Sequence, residues 1–140
     1  LAVLLFGFQT HAQEGRPAFE QDDLKAVEQT VQLYFEGLME RDRAKLERAF
    51  SPDARLIGFR GEVYTVTPFA TWAEGVAAGP KRENRAAYEN RVAGVELHGK
   101  MALARAALFW PDIYYYDLLT LLKIDGEWKI VHKSWHELAQ

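Results

Sequence analysis

The sequence predicts a single α+β domain in which a strongly curved, mostly antiparallel sheet wraps around N-terminal helices. Three observations carry this. Apolar residues recur at three and four positions early in the chain, the period of an amphipathic helix. Long runs rich in β-branched and aromatic residues fill the second half. Asp125-Gly126 sits between two such runs, the strongest short-range hairpin signal. Helices first and strands last is the order of an α+β fold. A sheet curled over helices leaves a cone with one open mouth, a natural small-molecule pocket.

Leu1-Ala2-Val3-Leu4-Leu5-Phe6-Gly7-Phe8 is a short apolar run, followed by Gln9-Thr10-His11-Ala12. It matches the end of a secretory signal peptide with cleavage after Ala12. The chain is therefore expected to be a fragment at its start. The alternative is a buried N-terminal strand or helix. On the signal reading, residues 1–12 are the signal remnant, 13–20 a linker and 21–140 the domain, which is expected to be periplasmic or secreted. The run is far shorter than the ~20 residues a membrane span needs, so no stable span is expected in the mature chain.

Leu24, Val27, Val31, Tyr34, Phe35 and Leu38 define the first helix, with Asp22 or Asp23 as its cap. Leu46, Ala49 and Phe50 mark a second, short helix, expected to stop at Ser51-Pro52-Asp53. Arg55 to Phe59 is a strand, and Arg60-Gly61-Glu62 turns it into Val63-Tyr64-Thr65-Val66. Thr67-Pro68 fits an N-cap with proline at the first helical position. Phe69, Trp72, Ala73 and Val76 carry that helix to Gly79-Pro80. Lys81 to Arg85 is a charged loop, expected to be solvated. Strands are expected at about 87–97, 101–110, 114–124 and 128–136.

The 140 residues suffice for one domain. The formal net charge of -3 argues against nucleic acid, which wants a basic face. There is no cysteine, so thiolate chemistry, disulfides and cysteine metal sites are excluded.

Asp42, Leu46, Phe50, Asp53-Ala54 and Leu56 sit at the spacing of the helix-to-strand corner of the nuclear-transport-factor-2-like superfamily, a cystatin-like fold. The ending, Tyr116-Asp117-Leu118 through Asp125-Gly126-Glu127-Trp128-Lys129-Ile130-Val131 with Lys133 beyond, resembles the lumazine-binding and polyketide-cyclase-like branch. The resemblance covers the chain from Asp22 to Glu137. It implies a small-molecule pocket, with homodimerisation through the convex sheet face. The fold hosts isomerases, cyclases, dehydratases and plain binding domains, so it does not select among them. The steroid isomerases of this superfamily use a helix tyrosine as oxyanion donor, and Tyr34 falls there. Their general base maps to Gly58 and their second donor, an aspartate, to Thr120. Glycine cannot accept a proton, so the resemblance argues against that reaction.

The candidate ligand contacts are Tyr34, Phe59, Trp72, Arg105, Phe109, Tyr116, Lys133 and Trp135. Arg105 interrupts an apolar strand and shares its face with Leu103, Ala107 and Phe109. The resemblance places that face in the cavity, where a guanidinium would bind a carboxylate or phosphate. An outward Arg105 is the alternative. Lys133 shares a face with Val131 and Trp135, again the cavity side by resemblance. Asp117 is an alternative, structural partner for either cation.

Weaker catalytic candidates are Tyr34, Asp117 and His132, the last two as an acid–base couple. His132 and His136 stand about 13 Å apart on a strand at ~3.3 Å per residue, so no metal site is expected, and no cofactor motif is present. The leading expectation is an exported domain that binds an anionic or aromatic small molecule. A cofactor-independent isomerase, cyclase or dehydratase comes second, and an interaction module with a filled cone third.

Overall fold

The computed structural model describes residues 18–139. The segment read as a signal remnant, and the first part of the expected linker, lie outside the described residues. Helix α1 (Ala18–Glu40) is followed by α2 (Arg43–Ala49), β1 (Phe50–Arg60), β2 (Val63–Pro68) and α3 (Phe69–Ala78). A 3-10 turn at Arg85–Ala87 leads into β3 (Glu89–His98), β4 (Met101–Trp110), β5 (Ile113–Ile124) and β6 (Glu127–Ala139). The strands form one open sheet in the order β2-β1-β6-β5-β4-β3. Among the described residues only the β1–β6 pairing is parallel. The predicted α+β architecture is the one observed.

The apolar stripe of α1 packs against the inner face of the sheet, burying Val27, Val31, Tyr34, Phe35 and Leu38. On β4 that inner face is Ala102, Ala104, Ala106 and Leu108, all buried. Small side chains let α1 lie close to the strand. Gly37 does the same for α2, since a Cβ there would meet Leu46 Cδ2 at 2.6 Å. Asp42 caps α2 by accepting a hydrogen bond from the Lys45 amide at 3.1 Å.

Several boundaries differ from expectation. Residues 18–20, expected in the linker, already belong to α1. Asp22 and Asp23 therefore lie inside the helix, and Asp23 instead binds Lys123 and Trp128. Ser51-Pro52-Asp53 is not a terminating turn but the opening of β1. Proline is tolerated there because β1 pairs irregularly with β6 between Phe50 and Arg55. At α3, Pro68 itself is the N-cap and makes no side-chain cap bond.

Strand β6 carries the irregularity that matters most. Thr120 pairs with His132 and Leu121 with Ile130, which leaves Val131 as an extra residue in a bulge. Trp128 and Ile130 are buried on the inner face before the bulge, and Lys133 is buried on it after.

Candidate functional site

Between α1, α3 and the inner face of the sheet lies a cavity of about 430 Å³. The cone is not filled, and this volume falls in the range of small-molecule sites. Its walls include Trp72 from α3, Trp110 from β4, Tyr115 from β5 and Trp135 from β6. Arg41, Arg60 and Arg82 also line it.

Three polar side chains meet in this wall from three elements. The Tyr34 hydroxyl donates to Asp117 Oδ2 at 2.7 Å, and Lys133 Nζ donates to the Tyr34 oxygen at 2.8 Å. Lys133 Nζ also stands 3.6 Å from Asp117 Oδ2. The other carboxylate oxygen, Oδ1, is buried with no hydrogen-bond partner among the described residues. Such an atom in a native fold calls for an explanation.

Burial sets the electrostatics. It pushes the Asp117 carboxyl above its ordinary range, although Lys133 and Tyr34 oppose it. It pulls the Lys133 ammonium down against the attraction of Asp117. The Tyr34 phenol is raised well above its usual value, first by burial and then by Asp117. Each group is thus biased toward its neutral form. Three aromatic rings surround the lysine: Nζ lies 5.2 Å from the Tyr34 centroid, 5.1 Å from Trp72 and 5.7 Å from Trp135.

The arginines are held in place. Arg41 donates to the carbonyls of Val76 (2.9 Å) and Pro80. Arg82 donates to the Leu38 carbonyl at 3.0 Å and stacks over Trp110 at 4.4 Å. Arg60 lies over Trp135 at 5.7 Å.

Of the candidate ligand contacts, Tyr34, Trp72, Lys133 and Trp135 line the cavity, together with Asp117. The others are not among its lining residues. Arg105 alternates with the buried Ala104 and Ala106 and lies over Gly94 of β3, where a Cβ would meet its Nη2 at 2.3 Å. The cavity face expected for Arg105 is thus corrected to the outer face. Phe109 shares that face and sits against Tyr114, with centroids 4.8 Å apart. Tyr116 is next to the inward Asp117 and points the other way, toward Tyr114. Phe59 is 54% exposed and contacts Tyr64.

The Asp117–His132 couple, the weaker catalytic candidate beside a plain surface or core histidine, is not formed. Asp117 faces Trp135 across the β5–β6 ladder, whereas His132 faces Thr120 on the opposite side of the sheet. The structural alternative for Asp117, a pair with Lys133, is present. Arg41, Arg60, Arg82 and Tyr115 were not anticipated. Tyr115 needed only the strand parity, which Asp117 would have supplied as the one acid in an apolar run. Arg82 belongs to the loop expected to be solvated, and its stacking on Trp110 is a long-range contact with no local signal.

Gly58 offers its space to a neighbour. A Cβ there would lie 2.8 Å from Cδ2 and Cε3 of Trp135. The indole occupies the position where the resemblance would put a catalytic carboxylate. Among the described residues there is no group of three metal-ligating side chains, and no helix is long and apolar enough to cross a membrane.

Comparison with known proteins agrees with this architecture. Residues 22–136 match the family model described as "Putative lumazine-binding". No curated protein matches the chain. Among solved structures, an NTF2-like protein of unknown function from Silicibacter pomeroyi is 21% identical, with TM-score 0.77 over 85% of this chain and 98% of that one. Another, from Shewanella baltica, is 21% identical, with TM-score 0.78 over 89% and 100%. A ketosteroid isomerase-like protein from Erwinia carotovora atroseptica is 15% identical, with TM-score 0.64 over 85% and 98%. At these identities the likeness is one of fold.

Proposed function

The chain belongs to the family described as "Putative lumazine-binding", within the nuclear-transport-factor-2-like superfamily, and from that premise we propose that its cavity binds a small, flat, anionic molecule. The observation that carries this is the charge balance of the lining. Three arginines, Arg41, Arg60 and Arg82, line it beside the Lys133–Asp117 pair, which offsets its own charge. Tryptophans 72, 110 and 135 and tyrosines 34 and 115 supply flat walls for an aromatic ring. The arginines offer planar donors for a carboxylate or a similar group.

Three lining tryptophans make the test direct. Terephthalate and lumazine are titrated against the protein while tryptophan fluorescence is followed, with uncharged terephthalamide as control. Quenching by terephthalate that weakens with salt supports the reading. Equal binding of terephthalamide removes the anion preference, and no quenching by any probe removes the ligand site.

A catalytic use of the same pocket is the second reading, favoured by the unpartnered Asp117 Oδ1. It predicts a function for Tyr34 and Asp117 beyond binding, without the base of the steroid isomerases.

Two further proposals concern the setting. The apolar run at Leu1–Phe8 supports export, which N-terminal sequencing of the native protein would check. The outer face, where Phe109, Tyr114, Tyr116 and the exposed Leu118 gather, supports a homodimer. Light scattering in solution reads its mass directly.

A further inference from the structure

Lys133 differs from an ordinary buried ion pair in three respects. The residue lines the cavity although it is only 9% exposed. A phenol stands between it and its carboxylate, so that its shortest contact is to Tyr34 rather than to Asp117. The carboxylate keeps one oxygen without a hydrogen-bond partner among the described residues. A pair that served stability alone would be expected to satisfy both oxygens. An amine, a phenol and a carboxyl within reach of one another, walled by aromatic rings, form instead a set that can move protons around a nucleophilic nitrogen.

We infer that Lys133 captures the carbonyl carbon of an aromatic aldehyde or ketone as an imine, with the cavity arginines holding an anionic group at the other end of the molecule. This rests on the reading of the cavity as an anion-binding site. The step balances within the three side chains. Asp117 takes one proton from the ammonium. The freed lone pair attacks the carbonyl carbon, a C–N bond forms, and the carbonyl π pair moves to oxygen. A second nitrogen proton passes to that oxygen by way of the Tyr34 hydroxyl. Asp117 returns its proton as the C–O bond breaks and water leaves. The third proton stays on the iminium nitrogen, which faces the ionised Asp117 and the rings of Trp72 and Trp135. The opposed effects of burial on Lys133 and Asp117 bring their proton affinities together, which favours the first transfer.

The test treats the full chain with 4-formylbenzoate and sodium cyanoborohydride, which reduces an imine to a stable secondary amine. Intact mass and peptide mapping then locate the adduct. The expected result is one adduct, at Lys133, formed more than about tenfold faster than at the exposed Lys100, as held reactants allow. Tyr34→Phe slows it, and Lys133→Met abolishes it. Mapping of the wild-type chain decides the matter even where a variant fails to fold. Labelling of Lys133 no faster than of Lys100 overturns the inference. Terephthalate, which has the ring and the charge but no aldehyde, is titrated in parallel. Its binding without an adduct at Lys133 overturns the imine and leaves the binding site standing. Failure of both overturns both readings, and an adduct without terephthalate binding keeps the nucleophile and removes the anion site.

Discussion

Two lysine–aspartate pairs in this molecule use the same residue types to opposite effect. Asp23 of α1 accepts from Lys123 Nζ at 2.7 Å and from Trp128 Nε1 at 3.0 Å, both on Oδ1. Its carboxyl is held below the ordinary range, chiefly by the Lys123 hydrogen bond. Asp117 also faces a lysine, yet its carboxyl is raised, because burial outweighs the partner. The side chains are 18% and 1% exposed. Water reaches the first pair and makes it a clasp between helix and hairpin. Burial shields the second, whose carboxylate keeps an acceptor without a partner among the described residues and whose two groups are biased toward their neutral forms. Burial, not residue type, separates a fastening from a site.

The largest effect is expected from Asp117→Asn, which leaves the buried Lys133 without a counter-charge. The expected cost is about 3 kcal/mol in chemical denaturation. Adding Lys133→Met should recover much of it, since the uncompensated buried charge is then gone. No recovery would show that the pair is a fastening after all. Tyr34→Phe comes next, with a loss of about 1–2 kcal/mol, because both Asp117 and Lys133 lose a partner.

Asp23→Asn sharpens the other side. Its effect should be smaller and pH-dependent. A carboxyl with a depressed folded value contributes stability above its unfolded value of 3.8 and loses it as pH falls through the lower folded value. The wild-type advantage over Asp23→Asn is therefore present at pH 6 and vanishes in strong acid, as thermal melts across pH would show. The smallest effect belongs to Arg105→Ala. It lies outside the cavity, so terephthalate quenching should be unchanged, and a lost response would return Arg105 to the site.

The helices, the strands and the Asp125-Gly126 hairpin were legible because each is written in local periodicity. The face assignment was not. On β4 both faces are apolar, so alternation alone could not tell the alanine face that receives α1 from the face that carries Arg105 and Phe109. On β6, Lys133 and Trp135 are inward only because Val131 is set aside in a bulge. Counting by two from Ile130 would put His132 inside. The arginines came from a helix end, a strand end and a loop, distant in sequence, and their convergence is a property of topology rather than of any motif.

Gly58 carries a consequence for history. Its missing Cβ is the room in which the Trp135 indole lies. A lineage crossing between this pocket and one with an acid at that place faces two substitutions whose order is not free. If the carboxylate comes first, it collides with the indole. If the tryptophan first yields to a smaller residue, the collision is avoided, and the pocket loses one aromatic wall. The path is epistatic: the ring must go before the acid arrives, and in the reverse direction the acid must go before the ring returns.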